Sequence, residues 1–423
     1  MGEQSRHAQG EGAGLILAKD NAHKTATRLV EAGRQSAYTS VPGLAGGVVN
    51  PPVWRASTHL YEDTAALAAG PKTNEDGRFF YGRRGGPTQW ALAEALTALE
   101  PGAAGTMLYP SGVAAIAGAL LAVLRPGDRL LITDNAYDPS RNLGLGLLKT
   151  FGVTTQFFDP LDHANFAEAC GEGVAAVLLE NPGSLTMEVC DVPALARIAH
   201  DHDAVVLIDN TWAGPTGFAA LPHGCDGSIL ALTKHVGGHS DLMMGSVTAN
   251  ERLYPRIRRT AQALGHVVSP DDAALALRGL RTLDLRLRQQ AASALRIAQW
   301  LAARDEVAAV LCPMMEGAPG HDLWSRDFTG GCGLFSFILK GRDAAARARF
   351  IDALSLFGIG YSWGGYESLA LPVDPRANRS VRPWPPAGMG EDDTLAVRLS
   401  IGLEDTGDLI ADLADGFAAM ENA

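Results

Sequence analysis

Residues 231–241 read ALTKHVGGHSD: a lysine closes the apolar run SILALT, and a glycine-rich turn follows it. A free lysine amine has a pKa of about 10.4, so near neutral pH it is almost wholly protonated and a poor nucleophile. Storing the amine of Lys234 as an imine with an aldehyde cofactor would remove that difficulty. Asp209, upstream, ends a second apolar run, AVVLID. A buried carboxylate is costly unless a cation or strong hydrogen bonds meet it, and a protonated ring nitrogen is such a cation. Lysine and aspartate at two strand ends form the pair that pyridoxal phosphate requires. One carries the aldehyde, and the other keeps the pyridine protonated as an electron sink. Each residue also has a plainer reading: Asp209 as a cap on the turn at Asn210 and Thr211, Lys234 as a solvated strand-end lysine.

A phosphate-bearing cofactor needs an anion site. In YPSGVAAIAGALLAV (109–123) a Ser-Gly turn opens an apolar helix, so Gly112 and Val113 would aim backbone N–H groups at an anion. The helix dipole supplies about 0.3–1 kcal/mol, little for a near-dianion, so hydroxyls and a cation are expected as well. Thr233 offers a hydroxyl, and Tyr81 and Arg83 in FFYGRRGGPT (79–88) offer the rest. An ordinary N-cap explains Ser-Gly equally well. Tyr137, in DNAYDPS after another apolar run, is either half-buried packing or a ring stacked on a flat cofactor. Arg398, inside the alternating strand AVRLS, either faces solvent on an edge or clamps a substrate carboxylate with its planar fork.

These residues must be positioned by something. Between about 90 and 250, short apolar runs that end in polar or glycine residues alternate with helical stretches. Runs so continuously apolar are buried on both faces, as in a parallel sheet covered by helices. Ligands in such folds sit at the carboxyl ends of the strands, where the polar residues fall. The sequence from RGLRTLDLRLRQ (278–289) through QWLAAR (299–304) reads as one long amphipathic helix leading to a smaller C-terminal α/β unit. Three segments are expected: an arm over 1–75, with a short helix near NAHKTATRLVEAGR, that contacts a neighbouring subunit; a cofactor-binding α/β domain over 76–285; and a C-terminal α/β domain over 286–423. The 423 residues carry 35 Lys+Arg against 47 Asp+Glu, a formal net charge of -12, which argues against nucleic acid or an anionic membrane as the main partner. Five dispersed cysteines without a C-x-x-C pair, and an N-terminus lacking a long apolar stretch, lead us to expect a cytoplasmic protein with reduced thiols. No metal site is expected: His200 and His202 read as a solvated helix end, and Gly237 and Gly238 separate His235 from His239.

The stretches YGRRGGPT, TDNAYDPSRN, ENPGSLTMEVCDVPA, LIDNTWAGP, TKHVGGHSD, RDFTGGCGLFSF and LFGIGYSWGGYESL resemble the Cys/Met-metabolism family of pyridoxal-phosphate enzymes. Within it they are most similar to the bacterial cystathionine β-lyases; relatives acting at Cγ tend to carry glutamate in place of Tyr361. The resemblance covers nearly the whole chain and implies an aspartate-aminotransferase-like α/β fold (fold type I), with a large, mostly parallel sheet and a smaller C-terminal domain. It implies that Lys234, Tyr137 and Tyr81 are catalytic. Lys234, Asp209, Tyr137, Gly112, Val113 and Thr233 would hold pyridoxal 5'-phosphate, with Tyr81 and Arg83 reaching in from the neighbouring subunit of a dimer of dimers. Arg398, Ser362, Trp363 and Tyr361 would hold a sulfur amino acid. The implied activity is β-elimination of L-cystathionine to homocysteine, pyruvate and ammonia, the alternatives being γ-elimination or cleavage of cystine and cysteine conjugates. Three positions depart from the family pattern: Ala231 stands where many relatives have serine, Val113 where many have methionine, and His235 where many have tyrosine. A nicotinamide oxidoreductase is disfavoured because GLGLLK (144–149) lacks the third glycine of a dinucleotide fingerprint.

Overall fold

The apolar runs become strands whose neighbouring residues face two different cores. In the structure, a computed structural model that describes residues 23–41, 43, 45–70, 77–385, 389–390 and 393–421, seven strands form the larger sheet. They are β1 (Gly105–Tyr109), β2 (Arg129–Thr133), β3 (Thr154–Phe158), β4 (Val174–Glu180), β5 (Val205–Asp209), β6 (Gly227–Leu230) and β7 (Gly245–Ala249), in the order β1-β7-β6-β5-β4-β2-β3. From β6 to β3 all pairs are parallel, and β7 alone runs antiparallel to both its neighbours. Leu131, Val177, Leu179, Val206 and Ile208 point into one hydrophobic cluster, while Leu130, Ile132, Ala176, Leu178, Val205 and Leu207 point into the other. Side chains alternate across a strand, so only runs apolar at every position can serve both faces.

A second sheet of four strands, β8 (Val307–Leu311), β9 (Leu334–Leu339), β10 (Leu369–Val373) and β11 (Ala396–Ser400), runs in the order β10-β11-β9-β8 and is antiparallel throughout. β11 pairs on both sides, so Arg398 is not on a solvent edge. The short helix expected near residues 21–34 is Thr25–Glu31; the residues before 23 lie outside those described.

The long amphipathic stretch is two helices, Pro270–Leu280 and Leu283–Ala302, with a break at Arg281–Thr282. Arg281 turns aside there to donate from Nε and Nη2 to the carbonyl of Ala32, at 3.2 and 3.1 Å. The second helix runs through residues 285 and 286, and its buried side chains Leu287, Ala294, Ile297 and Leu301 belong to a cluster that also holds Ile208 of the large sheet and Phe337 of the small one. One core therefore spans both sheets.

The break also brings the buried guanidinium of Arg286 under the lysine turn. Its Nη1 donates to the carbonyl of His235 and its Nη2 to that of Gly279, each at 2.8 Å. Gly238 has φ +68°, and a Cβ there would lie 2.0 Å from Arg286 Nη1. The glycine pair after Lys234 thus lets an arginine pass beneath the turn. An L-residue in the left-handed region costs about 1–2 kcal/mol by itself. Gly238→Ala should therefore destabilise the protein by more than Gly317→Ala, a position with φ +80° and nothing within 4 Å of the added methyl. Denaturant unfolding of the two variants should show a gap of at least about 1 kcal/mol, because only the first displaces a buried cation.

Candidate active site

Lys234 is not the last residue of its strand. β6 ends at Leu230, and Lys234 lies in the turn beyond, its N–H donating to the carbonyl of Ala231 at 3.0 Å. The turn swings the side chain into a cleft at the carboxyl ends of β4, β5 and β6, where Nζ donates to Ser362 Oγ at 2.6 Å and lies 5.3 Å from the centre of the Trp363 ring. Burial, then the nearby Arg398 cation, lowers the pKa of Lys234 to about 8, while Asp209 pulls it the other way. The amine is thereby brought within reach of its neutral, nucleophilic form near physiological pH.

Asp209 ends β5, directly opposite Glu180 at the end of β4 in the parallel register. Thr211 supplies the local partners of Asp209, donating to Oδ1 from its backbone N at 3.1 Å and from Oγ1 at 2.5 Å. The same hydroxyl accepts the N–H of Ala231 at 3.0 Å, which ties the Asp209 turn to the lysine turn. Burial raises the pKa of Asp209 despite these bonds and the Lys234 charge, so the carboxylate still lacks a full counter-charge.

Glu180 has no counterpart in our sequence-based expectations. Its Oε2 accepts the backbone N–H of Tyr137 at 2.6 Å, and burial, then Asp209, pushes its pKa well up. The glutamate therefore sets the entry of the loop that carries the Tyr137 ring. The signal was in the sequence, since VAAVLLE ends in an acid just as AVVLID does. Tyr137 remains 43 % exposed over the cleft, and burial, Asp209 and Glu180 hold its phenol protonated.

At the other end of the cleft the helix Gly112–Val123 begins. Ser111 caps it by accepting the N–H of Ala114 at 3.1 Å, and the first helical amides, Gly112 and Val113, have no acceptor within the helix. A Cβ on Gly112 would come within 2.7 Å of the Ala231 Cβ, so the helix start and the lysine turn touch at that point. Thr233 also lines the cleft, but its hydroxyl already accepts from Met244 N at 2.9 Å and lies 3.2 Å from Met244 O.

Arg398 reaches the cleft from β11, and its Nη2 donates to the carbonyl of Ser362 at 3.0 Å. Ser362 has φ +79°, a conformation that costs a non-glycine residue about 1–3 kcal/mol. That backbone lets one residue meet Arg398 through its carbonyl and Lys234 through its hydroxyl. Trp363 lines the cleft, whereas Tyr361 is 89 % exposed and is absent from its wall. Tyr81 and Arg83 are also outside: Tyr81 is exposed, and Arg83 Nη1 donates to the carbonyl of Gln262 at 3.0 Å.

The arrangement suits pyridoxal phosphate by its own chemistry. An amine with a depressed pKa, a carboxylate short of a counter-charge and an amide-lined helix start are spaced around one cleft, as an aldehyde, a pyridinium nitrogen and a phosphate require. The model of the family described as "Cys/Met metabolism PLP-dependent enzyme" matches residues 26–418. The chain belongs to this family. It is 44 % identical to "Cystathionine beta-lyase MetC" of Escherichia coli (strain K12) over 94 % of this chain and 99 % of that one. It is 36 % identical to an L-methionine gamma-lyase of Pseudomonas deceptionensis over 88 % of this chain and 94 % of that one. Among solved structures, a cystathionine gamma synthase from Xanthomonas oryzae pv. oryzae in complex with cystathionine matches with TM-score 0.83 and 34 % identity, covering 95 % of this chain and 100 % of that one. As in the rest of the family, the cofactor is pyridoxal 5'-phosphate.

Among the described residues no group of three or more His, Cys, Asp and Glu side chains could hold a metal, and His200 Nε2 lies 3.1 Å from Asp226 Oδ2. All five cysteines are free and buried.

Two outcomes follow from this geometry. Glu180→Gln keeps an acceptor for the Tyr137 amide and should retain most activity. Glu180→Ala removes it and should lower kcat/KM about 5- to 10-fold, the cost of a lost hydrogen bond of about 1 kcal/mol or slightly more. Capture of added pyridoxal phosphate by the apoprotein should accelerate with pH about a midpoint near 8. Replacing the Arg398 cation, as in Arg398→Met, should raise that midpoint, because the charge that disfavours the ammonium is gone; stopped-flow absorbance measures both.

Proposed function

We propose that this protein cleaves L-cystathionine by β-elimination, with homocysteine, pyruvate and ammonia as products. The observation that carries the reading is the 44 % identity, over essentially full length, to a bacterial cystathionine β-lyase, together with a cleft that assembles Lys234, Asp209, Ser362 and Arg398.

When bound, the cofactor supplies an electron sink that acidifies the substrate Cα–H and labilises the Cβ–S bond. The protein side chains do the rest. Lys234, Asp209, Tyr137, Gly112, Val113 and Thr233, which line one cleft, would hold the cofactor, with Asp209 suited to keep a ring nitrogen protonated and Tyr137 suited to pack against a flat ring. Arg398 forks onto the substrate carboxylate, and Ser362 and Trp363 orient it. Once its amine is free, Lys234 Nζ takes the Cα proton as general base, a role suited by a pKa of about 8. The sulfur leaves Cβ as the homocysteine thiolate and must take up a proton. Water then releases the remaining three carbons and nitrogen as pyruvate and ammonia.

Tyr81, Arg83 and Tyr361 are assigned to the assembled enzyme, with Tyr81 and Arg83 reaching a neighbouring subunit's cleft in a dimer of dimers. Support comes from the exposure of Trp54, Phe79 and Tyr81 in the segment before residue 82, and of Leu60 at 95 %, an apolar set that a second copy would cover. The expected arm (1–75), cofactor domain (76–285) and C-terminal domain (286–423) are taken as functional segments that share one core across the helix Leu283–Ala302, and the unpaired cysteines suit the cytoplasm.

The alternative within the family is attack at Cγ, as the methionine γ-lyase relative suggests. Purified enzyme should be yellow and release pyruvate with homocysteine from cystathionine; 2-oxobutyrate with cysteine would overturn β-elimination. Lys234→Ala should abolish turnover, a loss of at least about 10³-fold for a nucleophile that is also the general base.

A further inference from the structure

The carboxyl ends of β2 and β4 each continue into a lip of the cleft, one carrying Tyr137 and the other running through Ser184, Leu185 and Met187. The second lip is strained, with φ +67° at Leu185 and +56° at Met187. Neither lip is held by the large sheet alone. A turn of the C-terminal unit, residues 379–382, lies between β10 and β11, the strand of Arg398.

Asp134, fully buried three residues before Tyr137, takes this turn in its carboxylate. Oδ1 accepts from Ser380 N at 2.9 Å, Ser380 Oγ at 2.7 Å and Arg141 Nη1 at 3.2 Å. Oδ2 accepts from Val381 N at 3.0 Å and Arg382 N at 2.9 Å. Arg379, 6 % exposed, reaches the other lip, pairing with Glu188 at 2.6 Å and donating to Thr186. Leu185 packs on Ile338, Val373 and Ala396 of the small-sheet cluster. Asn135 joins the lips, its carbonyl accepting Ser184 N at 2.8 Å and its Nδ2 lying 3.3 Å from Glu188 Oε2. One short turn thus fastens both lips to the unit that carries Arg398.

We propose that the turn 379–382 is a positioning element of the active site, with Asp134 and Arg379 as the positioning residues through which the C-terminal unit fixes the two lips. They act through Tyr137 and through the Ser184–Met187 wall, without touching the substrate, so the spacing between the carboxylate clamp and the ring-covering tyrosine is set before anything binds. The functional half of the inference rests on the β-lyase reading.

The test compares Ser380→Ala, Arg379→Met and Arg379→Lys with the parent holoenzyme in three measurements: hydrogen exchange of peptides covering 134–143 and 183–188, visible circular dichroism of the bound cofactor, and KM and kcat for cystathionine. Losing one charged hydrogen bond is worth about a 10- to 100-fold change. Arg379→Met should raise exchange in both peptides and raise KM by about that factor while changing the dichroism. Ser380→Ala should do so more weakly, and Arg379→Lys should recover most of KM. If Arg379→Met does not fold, Ser380→Ala, which removes one hydroxyl, decides. Faster exchange with unchanged KM and dichroism would make the clamp merely structural and overturn the proposal, as would unchanged exchange. A parent enzyme inactive on cystathionine would instead defeat the β-lyase reading, and exchange and dichroism would still judge the clamp.

Discussion

The interaction on which this structure depends is the confinement of a lysine amine next to an arginine in a cleft that also holds two carboxyl groups. Depressing the Lys234 pKa from 10.5 to about 8 corresponds to a cost on the order of 3 kcal/mol for the charged form. The sign is clear: the folded state disfavours the ammonium, so the cost is full below about pH 8 and fades as the pH rises toward 10.5. Packing elsewhere must offset it. The cores on both faces of the large sheet, and the single cluster shared with the small sheet, are the reserve that allows such a site to exist.

The turn that holds the lysine shows how that reserve is applied. Arg286 donates to the His235 and Gly279 carbonyls, Gly238 leaves room for its guanidinium, and His235 Nε2 lies 3.1 Å from the Trp212 carbonyl. Burial, then the Arg286 charge, drives the His235 pKa down to about 3. A neutral imidazole directly after the lysine adds no further positive charge where Arg398 is already present. The departure from tyrosine at this position is therefore compatible with the electrostatics of the site.

Much of this was legible in the sequence because it follows from one-dimensional pattern. Strands apolar at every position announced a sheet buried on both sides, and the residues after them announced the site, so Lys234, Asp209, Tyr137 and the Gly112 helix start converge as expected. What stayed hidden depends on side-chain direction over long separations. Glu180 looked like any strand-end acid until its bond to the Tyr137 amide was visible. The break at Arg281–Thr282 follows from a contact with Ala32, some 250 residues earlier, that no periodicity reveals. Tyr361, the residue on which the distinction from Cγ chemistry leaned most, faces outward in the single chain, whereas its neighbours Ser362 and Trp363 enter the cleft.

The helix Leu283–Ala302 carries a last implication. Its buried side chains are continuous with the interiors of both sheets, so neither half owns a sealed boundary at residue 285. A fragment cut there would expose a stripe of leucine, alanine and isoleucine along most of the helix. Autonomous folding of either half is thereby disfavoured, and heat or denaturant should melt both sheets in a single cooperative transition.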